Sequence, residues 1–357
     1  MLRWPMSRLS LRTLALVPLL GLASLGATCG ARALSVLPGV VNDPGNLTLR
    51  RSLLAYGTQH MCAELRRRGV PVKLRDDDPA IGRFFATSCD IQSLEGDALF
   101  VQFEGYGYGW SELTHRIGFQ AGGALTYDTD FLMDGGGMYV YLRPRTTSAS
   151  RVEVRMVERP GAMALGTFLG GSGFGNDLAT AVFRAELGQG FTVLRQVDGQ
   201  VSFGLGVVEK GRRPAVPFEL QEGQQVIQAN ERVELRPEQR DFAGPFQVRE
   251  GEELWLAASV EGVEAVDVLL LDRAKAEAWL GEGLREPTLG PPGGLPVYSE
   301  VLRSGARLER SLRLGPGEYF LVLDHASSAG AAKPPATAPG ASGAAVVSFA
   351  LSTGEAR

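Results

Sequence analysis

The sequence predicts a mostly β protein in two parts: an α+β N-terminal domain, with one helix on an antiparallel sheet, then an all-β sandwich that is jelly-roll-like. Three observations carry that expectation. One long amphipathic helical pattern is present, over 47–68. Most of the remaining chain is short apolar runs broken by Gly, Asp and Pro, the punctuation of antiparallel strands. The composition shifts at Lys210-Gly211-Arg212-Arg213-Pro214 and Pro217, after which short strands recur at regular spacing. A chain of 357 residues is long enough for two cores. The boundary is placed near 215, giving a first domain over 34–214 and a second over 215–357.

The N-terminus reads as an export signal. Arg3, Arg8 and Arg12 precede an apolar run from Leu14 to Ala27, too short for a comfortable membrane span and interrupted by Pro18. Two ends of the signal are open. Ala31-Arg32-Ala33 suits an ordinary signal peptidase, for a signal over 1–33. Gly26-Ala27-Thr28-Cys29 ends a signal over 1–28 and makes Cys29 the candidate lipidated residue. In an oxidising compartment Cys62 and Cys89 are then expected to pair.

The helix over 47–68 places Leu49, Leu53, Leu54, Met61, Cys62 and Leu65 near one face, with Asn46 as N-cap and Gly69 as its stop. Val70 to Leu74 is an edge strand, because Pro71 has no N–H for a ladder. Phe84–Leu94 and Ala98–Trp110 make a hairpin around Glu95-Gly96-Asp97. In its second strand Tyr106, Tyr108 and Trp110 share one face, and Gly105, Gly107 and Gly109 share the other, so a close neighbour or a sharp bend is expected on the glycine side. Strands follow at 116–120, 124–132, 138–143 and 151–158, with Gly122-Gly123 and Asp134 to Gly137 as turns. Gly161 to Gly175 reads as a loop, and Asn176 caps a short helix ended by Gly188. Asp198-Gly199 between 191–197 and 201–208 is a strong hairpin signal.

Past the boundary, strands are expected at 224–229, 231–235, 244–248, 253–260, 266–271, 297–302, 307–314, 318–324 and 345–352. A helical turn is expected at 272–280 and a Pro/Gly loop at 284–296. Residues 326–344 are low in complexity, too poor in apolar residues to build a core, and read as a flexible loop.

Three segments of this half carry a resemblance: Phe246-x-Val248-x-x-Gly251, Val266 to Asp272, and Leu314-x-Pro316-Gly317-x-Tyr319 with the run to Asp324. Together they resemble the GOLD-like and pre-peptidase C-terminal sandwich families. The likeness spans about a third of the chain and implies an accessory or adhesion module. The Ala/Pro-rich loop before the last strand departs from the family pattern. The end of the apolar run likewise resembles a bacterial lipoprotein lipobox, with Gly26 and Thr28 as departures from it.

Chemistry is sparse. A formal charge of −4 gives no basis for nucleic-acid binding. Gly170 to Phe174 lacks the final Gly of a nucleophile elbow, and the spacing of Gly171, Gly173 and Gly175 misses the dinucleotide fingerprint by one residue. His60, His115 and His325 stand singly. Asp76-Asp77-Asp78 and Asp128-Thr129-Asp130 with Asp134 offer oxygen ligands, but the latter lacks EF-hand spacing and solvated carboxylates are the plainer reading. No cofactor or metal is expected. The candidate ligand platform is Tyr106, Tyr108 and Trp110, in the most aromatic part of the chain. The expectation is an exported cell-envelope lipoprotein, at the outer membrane or in the periplasm, with a non-enzymatic binding or scaffold role. A lipid or glycan carrier using a cleft of the first domain is the alternative, and a hydrolase the third.

Overall fold

A computed structural model describes residues 38–59, 61–95, 98–111, 115–134, 137–159, 190–196, 201–205, 208–209, 212–219, 225–334 and 343–355. The expected export signal with Cys29, the loop expected over 161–175 and the helix expected from Asn176 lie outside these residues.

The first part begins with α1 (Pro38–Val41), α2 (Leu47–Gln59) and α3 (Met61–Arg67). The Asn46 carbonyl accepts the first helical N–H, from Arg50 at 3.0 Å, while its side-chain amide donates back to Val40 O at 2.8 Å. The helix therefore starts at the expected residue through its backbone, and the side chain ties it to α1 instead of capping it. Seven antiparallel strands follow in sequence order: β1 (Val70–Val72), β2 (Gly82–Ser93), β3 (Ala98–Ser111), β4 (His115–Asp134), β5 (Gly137–Val157), β6 (Phe191–Gln196) and β7 (Val201–Leu205). Pro71 sits on the edge strand β1, opposite Arg83. Val41, Leu53 and Leu54 pack on Leu99, Val101, Leu125, Val140 and Leu142 of the sheet.

Four strands expected between 116 and 158 are two. Gly122-Gly123 does not turn the chain. β4 runs through it, and the register with β5 shifts at Gly118/Phe119, Gly123/Leu125 and Thr126/Tyr127. Glycine inside a strand commonly marks a bulge or a close backbone approach, and pattern alone does not separate that from a turn.

Cys62 on α3 and Cys89 on β2 form a disulfide with Cα atoms 5.3 Å apart. It fastens the helix to the sheet. Replacing both cysteines by serine is expected to lower stability by about 3–4 kcal/mol, read as an earlier denaturant midpoint. An unchanged midpoint would show that the helical packing is sufficient alone.

The second part has eight strands: β8 (Val226–Leu235), β9 (Gln239–Val248), β10 (Glu252–Glu261), β11 (Ala265–Asp272), β12 (Tyr298–Arg303), β13 (Leu308–Leu312), β14 (Gly317–His325) and β15 (Ala345–Glu355). They form two antiparallel four-stranded sheets, ordered β13-β10-β15-β8 and β12-β11-β14-β9. First pairs with last, second with next to last, and inward to β11 with β12, the winding of a jelly roll. The two strands expected at 224–229 and 231–235 are the single β8, because Asn230 does not turn. Its amide instead clamps the backbone of Phe218 at 2.8 and 3.2 Å.

β11 is buried on both sides, which explains its near-continuous apolar run. Val266, Val268 and Leu270 enter the sandwich core. Leu269 and Leu271 point outward under α4 (Arg273–Gly283), a longer helix than the turn expected there. Asp272 caps it, accepting the Lys275 N–H at 3.0 Å.

Candidate functional site

The aromatic strand β3 changes its packing partner halfway along. Leu99, Val101 and Phe103 face the helices. Beyond them that side becomes Gly105 and Gly107, and buried aromatics continue on the other side. The glycine face is covered by Phe84 and Phe119: a Cβ on Gly105 would lie 2.6 Å from the Phe84 ring, and one on Gly107 would lie 2.9 Å from that of Phe119. These two rings lie nearly parallel, with centroids 6.4 Å apart.

The three candidate platform residues lie where the seven-stranded sheet meets the jelly roll. Tyr106 is half-buried and stacks on Phe85 at 5.5 Å. The Tyr108 ring is buried beside Phe242. Its hydroxyl donates to Asp241 Oδ1 at 2.6 Å and accepts the Phe242 N–H at 2.7 Å. Burial and the neighbouring Asp241 carboxylate raise the Tyr108 phenol well above its ordinary range, so it stays a donor. Trp110 is half-buried beneath the Arg236 guanidinium, which sits 4.4 Å from its ring centre. Tyr108 thus faces the interior of the junction instead of open solvent.

At the centre of the junction is a residue that strand reading passed over. Arg83 on β2 is 1% exposed. Its Nε and Nη2 reach Asp241 Oδ1 and Oδ2 at 3.1 and 2.7 Å, a bidentate fork. Nη2 also reaches Glu231 at 2.8 Å, and Nη1 donates to Gly69 O at 3.0 Å. Glu231 belongs to β8 and Asp241 to β9, the end strands of the two jelly-roll sheets. One guanidinium from the first part therefore bridges both sheets of the second. Burial alone would discharge it, but the attraction of Asp241 and Glu231 is stronger and keeps it charged.

Backbone bonds reinforce the same seam. Ala80 donates to Arg232 O and accepts from Glu234 N, each at 2.8 Å, covering part of the edge of β8. The Gly69 N–H donates to Gly244 O on β9 at 2.9 Å. On the outer face of the second sheet, Phe85 and Tyr108 join Phe242, Leu269, Phe320, Val322 and Trp279 in one apolar cluster. Arg116 on β4 donates to Glu286 O and Pro287 O at 2.8 and 2.9 Å, tying in the loop after α4.

A second buried polar group lies farther along that face. Asp267, Asp324 and Arg240 stand directly opposite one another on β11, β14 and β9. Arg240 Nε forms an ion pair with Asp324 at 2.9 Å, its Nη1 donates to Gly290 O at 3.0 Å, and its guanidinium lies 3.9 Å from the Trp279 ring centre. The sequence does carry a signal for these residues. An Asp inside Val-Asp-Val-Leu-Leu-Leu, or an Arg opening Gly-Arg-Phe-Phe, puts charge where strands are buried, which demands a partner. It does not say which partner.

The acidic clusters are engaged elsewhere. Asp130 pairs with Arg50 and Asp128 with Arg145, each at 3.0 Å, while Asp76 accepts the Ala215 N–H at 2.9 Å. His115 lies 3.3 Å from Glu158. Among the described residues no group of three or more His, Cys, Asp or Glu is placed to hold a metal ion.

The chain matches no protein-family model and no curated protein. Among solved structures it shares 10% identity with a chain of the disulfide-linked pili of Bacillus endospore appendages, covering 39% of this chain and 97% of that one at a TM-score of 0.20. A glycoside hydrolase family 43 arabinoxylan arabinofuranohydrolase from Bacillus subtilis is also 10% identical, with 76% and 67% covered and a TM-score of 0.23. Likenesses this distant bear on neither fold nor activity.

Proposed function

We propose that this chain is an exported cell-envelope lipoprotein with a non-enzymatic binding or scaffold role, an α+β unit joined rigidly to a jelly-roll module. The observation that carries the scaffold reading is the Arg83 junction. A buried, fully partnered guanidinium bridging both jelly-roll sheets suits two parts presented as one stiff body, since such a contact resists hinge motion. The interval between α2 and the sheet, where a carrier would hold lipid or glycan, is filled by Leu53 and Leu54 against Leu99 and Leu125, which favours the scaffold over the carrier. The resemblance of the 246–324 segments to GOLD-like and pre-peptidase C-terminal modules points the same way, toward an accessory or adhesion role.

Export and anchoring rest on the N-terminal residues. Among the described residues no helix is long and apolar enough to cross a membrane. The anchor in this reading is acylated Cys29, at the end of the apolar run. Acyl chains there would add about 0.8 kcal/mol of membrane affinity per buried methylene. Membrane fractionation of the full chain beside Cys29→Ala tests it. The wild type is expected with the membranes and the variant in the soluble exported fraction. Equal membrane association of both would remove the lipoprotein reading.

A further inference from the structure

The row Asp267–Asp324–Arg240 is closed from above by the segment that leaves β14. Ala326 N–H donates to Asp324 Oδ2 at 3.3 Å. Ala331 and Ala332 N–H donate to the two oxygens of Asp267, each at 2.9 Å. Ser328 Oγ accepts from Arg240 Nη2 at 2.9 Å, and Ser327 donates to Glu238 through N–H and Oγ at 3.2 and 3.0 Å. Gly330 crosses in the left-handed region, φ +67°, so close that a Cβ would lie 2.1 Å from the Asp267 carboxyl carbon. The segment, read from composition as loose, is lashed by four of its residues to buried charge and by a fifth, Ser327, to the exposed Glu238.

The charges beneath it do not balance. Asp267 and Asp324 are each 1% exposed and face one another across paired strands, with one guanidinium beside them. With both carboxyls ionised the row carries a net negative charge in a dry site, and one proton removes it.

We propose that residues 326–332 form a proton-dependent strap, closed over the Asp267–Asp324 pair while the row holds one proton and loosened when both carboxyls ionise.

Burial pushes the Asp324 carboxyl up to about 7, against the attraction of Arg240 and the Ala326 N–H and with repulsion from Asp267 and Glu238. Asp267 moves the same way through burial, opposed by its two N–H bonds. Burial also lowers Arg240, to about 10, opposed by Asp324 and assisted by the like charge of Arg116 on β4. The guanidinium therefore stays charged across the working range. Opening the strap admits water and returns the carboxyl toward its ordinary value near 4. The closed form thus holds a proton that the open form releases, and closure weakens as pH rises from about 4 to about 7. His325 works in the opposite sense. Burial lowers its imidazole, whose Nε2 lies 3.1 Å from Gly343 O, so charging it on acidification favours opening. Looser closure at higher pH therefore isolates the carboxyls.

Amide exchange in the full chain reads the strap directly. After correction for intrinsic base catalysis, opening at Ala326, Ala331 and Ala332 is expected to rise on the order of 10- to 100-fold between pH 5 and pH 7.5. Leu256, in the sandwich core, serves as the control whose protection should hold. Asp324→Asn keeps the shape and removes the titration, so its profile should be flat, and Asp267→Asn should reduce the dependence. A flat wild-type profile, or an Asp324→Asn profile as steep as the wild type, would overturn the proposal. The wild-type profile decides alone if either variant fails to fold.

Discussion

Replacing Arg83 by methionine is expected to destabilise the protein by about 3–5 kcal/mol, seen as a large fall in the denaturant midpoint. The loss exceeds that of any single hydrogen bond, because the substitution strands the Asp241 carboxylate in the interior, where only the Tyr108 hydroxyl remains from its side-chain partners described above. It also frees β8 from β9 at the edge where Arg83 joins them. Two controls separate charge pairing from packing. Arg83→Lys keeps the charge but cannot make the bidentate fork, and should recover only part of the loss. Combining Arg83→Met with Asp241→Leu removes both charges, and should cost much less than the sum of the single changes. Strict additivity would mean the two residues are not coupled, and the junction would then be held by its apolar cluster alone.

Gly82→Ala is the second large effect, about 3 kcal/mol or more, against near neutrality for Gly109→Ala. The two glycines are register partners on β2 and β3. A Cβ on Gly82 would lie 2.1 Å from the Tyr108 carbonyl oxygen and 2.6 Å from Gly109 Cα, both backbone atoms that cannot swing aside. A Cβ on Gly109 meets nothing within 4 Å. The first substitution must therefore push two strands apart beside Arg83, with the cost of overpacking. The second only restricts the unfolded chain, and is expected to change stability by about half a kcal/mol or gain slightly. Thermal melts of the two variants side by side provide the test. Similar melting points would show that the strands give way freely, and that the close approach has no structural weight.

Much of the fold was legible because local rules have a short range. The helix start at Asn46 depends on backbone groups a few residues away, and the edge position of Pro71 on its own missing N–H. The near-continuous apolar runs of β11 and β14 report two-sided burial directly. Gly122-Gly123 misled for the same reason: glycine's freedom serves a bulge and a turn equally well, and only the long pairing of β4 with β5 decides between them.

The sites were far less legible. Tyr106, Tyr108 and Trp110 were recognisable as one face of a strand, but not as a face meeting another sheet. Arg83 gave no sign of its partners, which lie 148 and 158 residues away. The 326–332 segment looked like a tether by composition, because its ties run from backbone N–H groups that every residue but proline has. By itself the sequence determined where most strands lie, the start of the first long helix and the cysteines available to pair. Tertiary structure decided which buried charge meets which, since a charge in a dry interior is stable only beside groups that chain folding brings from far along the sequence.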